Sequence, residues 1–233
     1  MMHIRSTSCS YSTAYLGLRD QIIRGDYKPG SRLGISVLAN EFRMSPTPVR
    51  EALSRLAQED IIETRQQRGF FIKEFNPDEI AELYALIHLN VAFLMRRTAS
   101  NGALPTVADE ITDIFAAETA TAASRHVFRF RDRLADYAGS PNAAQTLHNL
   151  FLRTHFIRVV EFSSRQRHAK MKSIAVSIAR AARRDDRQTC FRALDRLFLQ
   201  RAEWFSTVTN QAFNLAAQIG KDGSVERELK VAE

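Results

Sequence analysis

The segment Ser45-Pro46-Thr47-Pro48-Val49-Arg50 places two hydroxyls and a guanidinium at the start of an apolar-striped stretch. Ser45 has the type and position of a helix cap. Pro46 and Pro48 suit a first turn, where missing N–H groups cost little. Val49, Leu53 and Leu56, at i, i+4 and i+7, supply the buried stripe. On such a helix Ser45 and Thr47 are small donors fit for phosphate oxygens, and Arg50 is long enough to engage a guanine edge bidentately. Pro48 belongs to the same segment. Ser36 at the start of an earlier short helix, Arg43 in the turn between, and Gln67, Arg68 and Gly69 in a later polar loop are further candidates. Taken alone, an arginine on a helix is more often a solvated charge paired with a neighbour such as Glu51. Arg55 and Arg65 read as surface charges of that kind.

A second set lies in the C-terminal two thirds of the chain. Asn90 and His88 interrupt an apolar helix, and His148, His155 and Arg158 are spaced so that they could meet an anionic small molecule. His148 and His155 lie seven apart, with Arg158 three further on. For the histidines the competing reading is a satisfied core or interface residue, and for Arg158 a solvated charge. No nucleophile–base pair, glycine-rich phosphate loop or metal-ligand spacing accompanies them, so an enzyme is not expected.

The elements that must position these groups divide at residue 76. Gly17, Gly25, Gly30, Gly34 and Gly69 fall in the first part, and no proline follows Pro141. A loop-punctuated unit therefore precedes a long helical one. Residues 1–11 read as a flexible lead-in. In residues 12–75 the pattern predicts a helix over Leu16–Ile23 that stops at Gly25, a short helix over Leu38–Phe42 capped by Ser36, and a third from Ser45. Two β-rich runs, Ile61–Thr64 and Phe70–Ile72, flank Arg65-Gln66-Gln67-Arg68-Gly69 as a hairpin. Three helices and a hairpin make a winged helix-turn-helix. The fold class expected is mainly α, with this domain followed by an antiparallel six-helix bundle over residues 76–218 and a polar tail, 219–233. The six helices are predicted near 77–99, 105–120, 122–138, 142–162, 166–184 and 186–216. Asn76 should cap the first of them with Pro77 in its opening turn, and Ile80, Leu83, Tyr84, Ile87, Val91 and Leu94 form its apolar stripe.

Composition adds little. The chain has 233 residues, 45% hydrophobic and 25% charged, with a formal net charge of +7. These values fit a folded globular chain and favour an anionic partner. The charge is uneven: residues 125–201 carry 17 basic against 6 acidic side chains, so the excess sits in the helical part. Two cysteines, Cys9 and Cys190, cannot form a disulfide framework, and no transmembrane or secretory segment is evident, so a cytoplasmic protein without membrane partners is expected.

The first unit resembles the GntR family of bacterial transcription regulators. Ile23-Arg24-Gly25-Asp26-Tyr27-Lys28-Pro29-Gly30-Ser31-Arg32-Leu33 is similar to the family's "I-x-G-x-x-x-P-G-x-x-L" opening. Leu38-Ala39 and Met44 to Leu56 resemble its "LA…vSrtPVREAL-x-rL" signature, and Arg68-Gly69 its wing tip. The resemblance implies a dimeric, sequence-specific binder of double-stranded operator DNA, usually a repressor, with Ser45, Thr47, Arg50 and the wing glycine at the DNA. Pro46 departs from it, standing where many relatives carry a DNA-contacting arginine.

The second unit resembles the FadR C-terminal (FCD) effector domain in its shorter, VanR-like form. The similarity rests on Pro77-Asp78-Glu79-Ile80-x-x-Leu83-Tyr84, on Phe130 to Asn142, and on Ile178 to Asp185 followed by a long last helix. This likeness implies a small-molecule effector and, in many members, a divalent metal held by an aspartate and three histidines. Here the ligand positions fall on Val127, Arg131, Ile174 or Ala175, and Arg196 or Leu197, with His126 one residue from the aspartate position. No metal or other cofactor is therefore expected, and Arg131, at a position where the resemblance implies an inward-pointing ligand, could bind an anionic group directly or be no more than a structural charge. Ile87 and Val91 also replace the arginine and glutamate that relatives often carry after the tyrosine, and an anion such as a carboxylate is the expected effector class. Two other functions stay open: a DNA-binding dimer whose second unit binds no effector, and an all-helical enzyme.

Overall fold

The computed structural model describes residues 3–24, 26–74 and 76–218. Gly25, expected to stop the first helix, and the tail 219–233 lie outside the described residues. Contacts divide the chain into two compact units, the second spanning Asn76–Phe213.

In the first unit, α1 (His3–Arg24), α2 (Ile35–Glu41) and α3 (Pro46–Gln58) precede β2 (Ile62–Arg65) and β3 (Gly69–Ile72), and β1 (Arg32–Leu33) completes an antiparallel sheet of order β1-β3-β2. The stretch expected as a lead-in is thus helical from His3. Leu18, Leu53, Leu56 and Ile62 are fully buried and form the core. Gly17 is required on α1 because a Cβ there would lie 2.5 Å from the Phe42 ring. β1 was not foreseen. Two residues carry no periodicity, and the strand is fixed by long-range bonds from the Gly30 N–H to the Ile72 carbonyl (2.9 Å) and from the Ile72 N–H to the Ser31 carbonyl (2.9 Å).

The second unit is helical: α4 (Pro77–Ser100), a 3-10 turn (Leu104–Val107), α5 (Ala108–Ala116), α6 (Ala120–Ala138), α7 (Pro141–Arg153), α8 (His155–Ser163), α9 (Arg165–Arg183), α10 (Arg187–Ala202) and, as far as Phe213, α11 (Phe205–Gln218). Asn76 caps α4 as expected, its side-chain oxygen accepting from the Asp78 N–H at 3.0 Å and the Glu79 N–H at 3.4 Å. The whole predicted α4 stripe is buried.

Two of the six predicted helices are broken. The one expected over 142–162 divides at Thr154, and the one over 186–216 divides at Glu203-Trp204. Thr154 is buried, and its hydroxyl bonds back to the Leu150 carbonyl at 2.8 Å while accepting from Arg158 at 3.0 Å. A hydroxyl that competes for a carbonyl four residues back loosens a helix. The break frees α8 to change direction, and seven of its nine residues are buried, charged ones included.

Candidate nucleic-acid interface and ligand cavity

In the first unit, α2 ends at Phe42 and the chain turns through Arg43, whose φ of 53° lies in the left-handed region. The turn is fixed by the Met44 N–H bonding the Ala39 carbonyl at 2.9 Å. Ser45 follows at the N-cap position of α3, but its side chain makes no capping hydrogen bond. The expected cap is therefore absent and the hydroxyl is uncommitted. Pro46 and Pro48 lack N–H groups, so the first turn presents chiefly the Ser45 and Thr47 amides to an incoming acceptor.

Ser36, Arg43, Ser45, Thr47 and Arg50 are all exposed. Ser36 does not cap α2 as anticipated. Gly34 holds that position and Ser36 sits in the first turn. Pro48 is corrected more sharply: it is buried on the α3 face with Val49, Ala52 and Leu53, so it packs the core and is unavailable for an external contact. Gln67 and Arg68 are exposed at the wing tip, with Gln67 (φ 60°) and Gly69 (φ 97°) bending the chain so that Arg65 pairs with Gly69 in register.

Charge pairing separates the arginines. Arg55 bonds Glu59 at 3.0 Å and lies 4.6 Å over the Tyr15 ring, and Arg65 bridges Glu63 (2.6 Å) and Glu74 (3.2 Å). Arg43, Arg50 and Arg68 make no ion pair among the described residues. Three uncommitted cations, one in the turn, one on α3 and one in the wing, can meet an anionic, groove-bearing partner. The surface charges named by the sequence reading, Arg55 and Arg65, have intramolecular partners.

In the second unit, α4 to α10 all contribute to the wall of a cavity of about 120 Å3. Its wall is almost wholly apolar, with Ile87, Val91, Val127, Phe130, Ala175 and Leu197 among the lining residues. Three of these, Val127, Ala175 and Leu197, are positions where the sequence resemblance would put metal ligands. They offer only carbon. Among the described residues no cluster of three or more His, Cys, Asp or Glu side chains could hold a metal ion, so the residues present do not fit an FCD-type metal.

Of the five effector candidates only Arg158 lines this cavity. It is 2% exposed and donates to the Ser124 hydroxyl (3.0 Å), the Thr154 hydroxyl (3.0 Å) and the Phe151 carbonyl (2.8 Å), with the rings of Phe128 and Phe151 at 5.4 and 4.9 Å. Burial pulls its guanidinium down to about 10, leaving it charged at neutral pH. His155 is buried behind it, with Nδ1 on the Ser124 hydroxyl at 3.0 Å, and burial together with the charges of Arg158 and Arg125 holds its pKa well below the ordinary histidine value. Asn90 lies on α4 away from the lining, whereas His88 contributes to it. Arg131 and His148 meet each other at a separate surface depression, where Arg131 also pairs with Asp132. The position expected to turn Arg131 inward does not do so, because Asp132 and His148 hold its guanidinium there.

Three groups at the cavity went unforeseen. Arg201 lines it and forms a two-point pair with buried Glu161 (Nε–Oε1 2.8 Å, Nη2–Oε2 2.5 Å). Its guanidinium lies 4.5 Å over the ring of Tyr84, and the proton of the buried Tyr84 hydroxyl finds no acceptor among the described residues. A signal existed for part of this set: Arg158 and Glu161 are the two charges inside the otherwise apolar run Ile157–Phe162. Arg201 lies 40 residues from Glu161 and leaves no such local mark.

Residues 10–72 match the family described as bacterial regulatory proteins, gntR family. The match falls within the first unit, the winged helix-turn-helix. The chain is 30% identical to the HTH-type transcriptional repressor GlaR of Escherichia coli over 70 residues, which cover 30% of this chain and 32% of GlaR. The match to that curated relative thus spans about a third of its length. A longer likeness, at 25% identity, joins 71% of the chain to 80% of the Nta operon transcriptional regulator of Aminobacter aminovorans. In three dimensions the chain resembles E. coli McbR/YncC with a TM-score of 0.62 and 20% identity, covering 85% of this chain and 97% of that one, a likeness of fold. Both curated relatives carry the names of transcription regulators.

Proposed function

We propose that the protein is a sequence-specific DNA-binding transcription regulator of the FCD branch of the GntR family, with a short VanR-like second domain, acting as a homodimer on a palindromic operator. The observation that carries this reading is the set of uncommitted, exposed arginines, Arg43, Arg50 and Arg68, placed on the turn, the third helix and the wing of a winged helix-turn-helix. In such domains the N-terminal part of that helix enters the major groove, and dimers match operator symmetry. Arg50 then reads a guanine, while Ser45, Thr47 and the wing position the backbone.

The outward face of α4 supports the dimer. Leu86, Leu89 and Phe93, at i, i+3 and i+7, are 44%, 65% and 47% exposed, an apolar stripe that a second copy of the chain would cover. A small molecule entering the cavity in the second unit biases the dimer between conformers that do and do not span both half-sites, which is the logic of an effector-relieved repressor. GlaR is itself named a repressor. No helix among the described residues is long and apolar enough to cross a membrane, and the proposed site of action is the cytoplasm.

The test is a fluorescence anisotropy titration, at fixed salt, against an operator selected from random duplexes. Arg50→Ala should weaken specific binding by about 1–3 kcal/mol and relax the preference at one base pair of each half-site. Unchanged affinity and sequence preference would remove Arg50 from the interface.

A further inference from the structure

The cavity in the second unit is apolar by area but not neutral by charge. Arg158, Arg201 and Glu161 are the charged groups that meet on its α8–α10 side, and Glu161 is consumed by the two-point pair with Arg201. Arg158 is left with neutral acceptors alone, one per nitrogen, although a guanidinium carries five N–H donors. A buried cation whose only partners are dipoles and ring faces is incompletely compensated. Tyr84 stands in the same wall with a fully buried hydroxyl whose proton finds no acceptor among the described residues, Arg201 beside it being a donor only. The cavity therefore lacks one negative charge that can accept hydrogen bonds, and its remaining wall is hydrocarbon.

Size narrows the ligand further. An apolar cavity of about 150 Å3 takes benzene, so about 120 Å3 holds a ligand no larger than that, roughly five or six non-hydrogen atoms. A dianion is disfavoured, because only one positive charge stands uncompensated and His88, a further polar group of the wall, is taken by Asp195 at 3.0 Å.

Resting on the effector-controlled reading above, we infer that the cavity is a metal-independent site for a compact monoanion, a small branched or cyclic monocarboxylate, whose carboxylate is held by Arg158 and the Tyr84 hydroxyl and whose body fills the Ile87–Val127–Leu197 wall. Arg158 does here what a bound metal does elsewhere. It supplies the positive charge, and the carbon-lined positions Val127, Ala175 and Leu197 make room for the ligand's hydrocarbon.

The experiment uses the full-length, chelator-treated protein and three probes of six heavy atoms each: isobutyrate, its neutral isostere isobutyramide, and the dianion oxalate. Calorimetric titration and thermal shift are expected to show isobutyrate binding at least tenfold more tightly than either other probe. Tyr84→Phe should weaken isobutyrate several-fold and leave isobutyramide unchanged. Arg158→Met, of similar length, should remove the preference for isobutyrate over isobutyramide, and Tyr84→Phe and the probe series decide the matter if that variant does not fold. Equal binding of isobutyrate and isobutyramide to the unaltered protein overturns the charge assignment while leaving a small-molecule effector in place. Binding of none of the three overturns both. Isobutyrate binding that is lost on chelation and restored by zinc or manganese overturns the metal-independent role of Arg158.

Discussion

Glu161 offers the sharpest test of how the second unit is held together. It is 3% exposed, it lies on the almost wholly buried α8, and both of its oxygens are taken by Arg201 on α10, at 2.8 and 2.5 Å. Glu161→Gln keeps the shape and removes the charge, which leaves Arg201 and Arg158 facing each other without an anion. At an effective dielectric of about 20, one such contact near 3 Å is worth roughly 5 kcal/mol. Breaking a buried pair by removing one partner typically costs about 3–5 kcal/mol. Arg201 retains 18% side-chain exposure, so water relieves part of the stranded charge and the lower end, about 3 kcal/mol, is expected.

The reverse truncation strands the more deeply buried group. Arg201→Met should therefore cost more than Glu161→Gln. The double variant Glu161→Leu/Arg201→Met, which leaves no stranded charge of the pair, should return to within about 1–2 kcal/mol of the unaltered protein. Urea denaturation at pH 7 and fixed protein concentration gives the free energies. Thermal unfolding should fall by roughly 6–12 °C for Glu161→Gln at this chain length. A loss below about 1 kcal/mol, or a double variant no better than the worse single, would refute the reasoning that this pair is a buried, mutually dependent unit.

Two further outcomes follow from local geometry. Arg43 adopts φ 53°, a conformation that costs an ordinary L-residue about 1–2 kcal/mol and glycine almost nothing. Arg43→Gly should accordingly gain about 0.5–1 kcal/mol in a urea titration while weakening operator binding, and an unchanged or lowered denaturation midpoint would dismiss the strain. His155 is buried with its pKa held below the ordinary value, by burial first and by Arg158 and Arg125 next. The unfolded chain then takes up a proton below about pH 6.5 that the folded chain resists, so stability is constant above that pH and falls beneath it, by up to about 1.4 kcal/mol per pH unit. His155→Gln should flatten this acid limb between pH 7.5 and 5.5; identical slopes in the two proteins would show that His155 titrates freely when folded.

Local signals served the first unit well. The proline pair, the apolar spacing of Val49, Leu53 and Leu56, and the polar loop before Gly69 each reflect interactions within a few residues, and the helices and wing they imply are present. Where the reading slipped, the deciding contact was distant or the competition local. Ser36 and Ser45 have the right chemistry for caps, yet neither hydroxyl closes one. Pro48 fits a surface motif in one dimension and turns into the core in three, because α3 also presents Val49 and Ala52 to that side. In the second unit the helical periodicity was legible, but the breaks at Thr154 and Glu203-Trp204 were not. Their neighbourhoods contain neither proline nor glycine to announce them.

The amino-acid sequence alone determined the winged helix-turn-helix, the lack of aspartate and histidine at the expected metal positions and the excess of arginine in residues 125–201, because residue type, spacing and composition depend on nothing outside the chain's own order. Tertiary structure decided which of those arginines matter to the cavity. Arg131 stays at a surface depression with Asp132 and His148, many others find solvent or a carboxylate, and Arg158 and Arg201 are carried to the cavity wall. The physical reason is that a buried charge is defined by its compensation. Whether Arg158 lacks an anion depends on where Glu161 points, and that is settled by a contact with Arg201, 40 residues away in sequence.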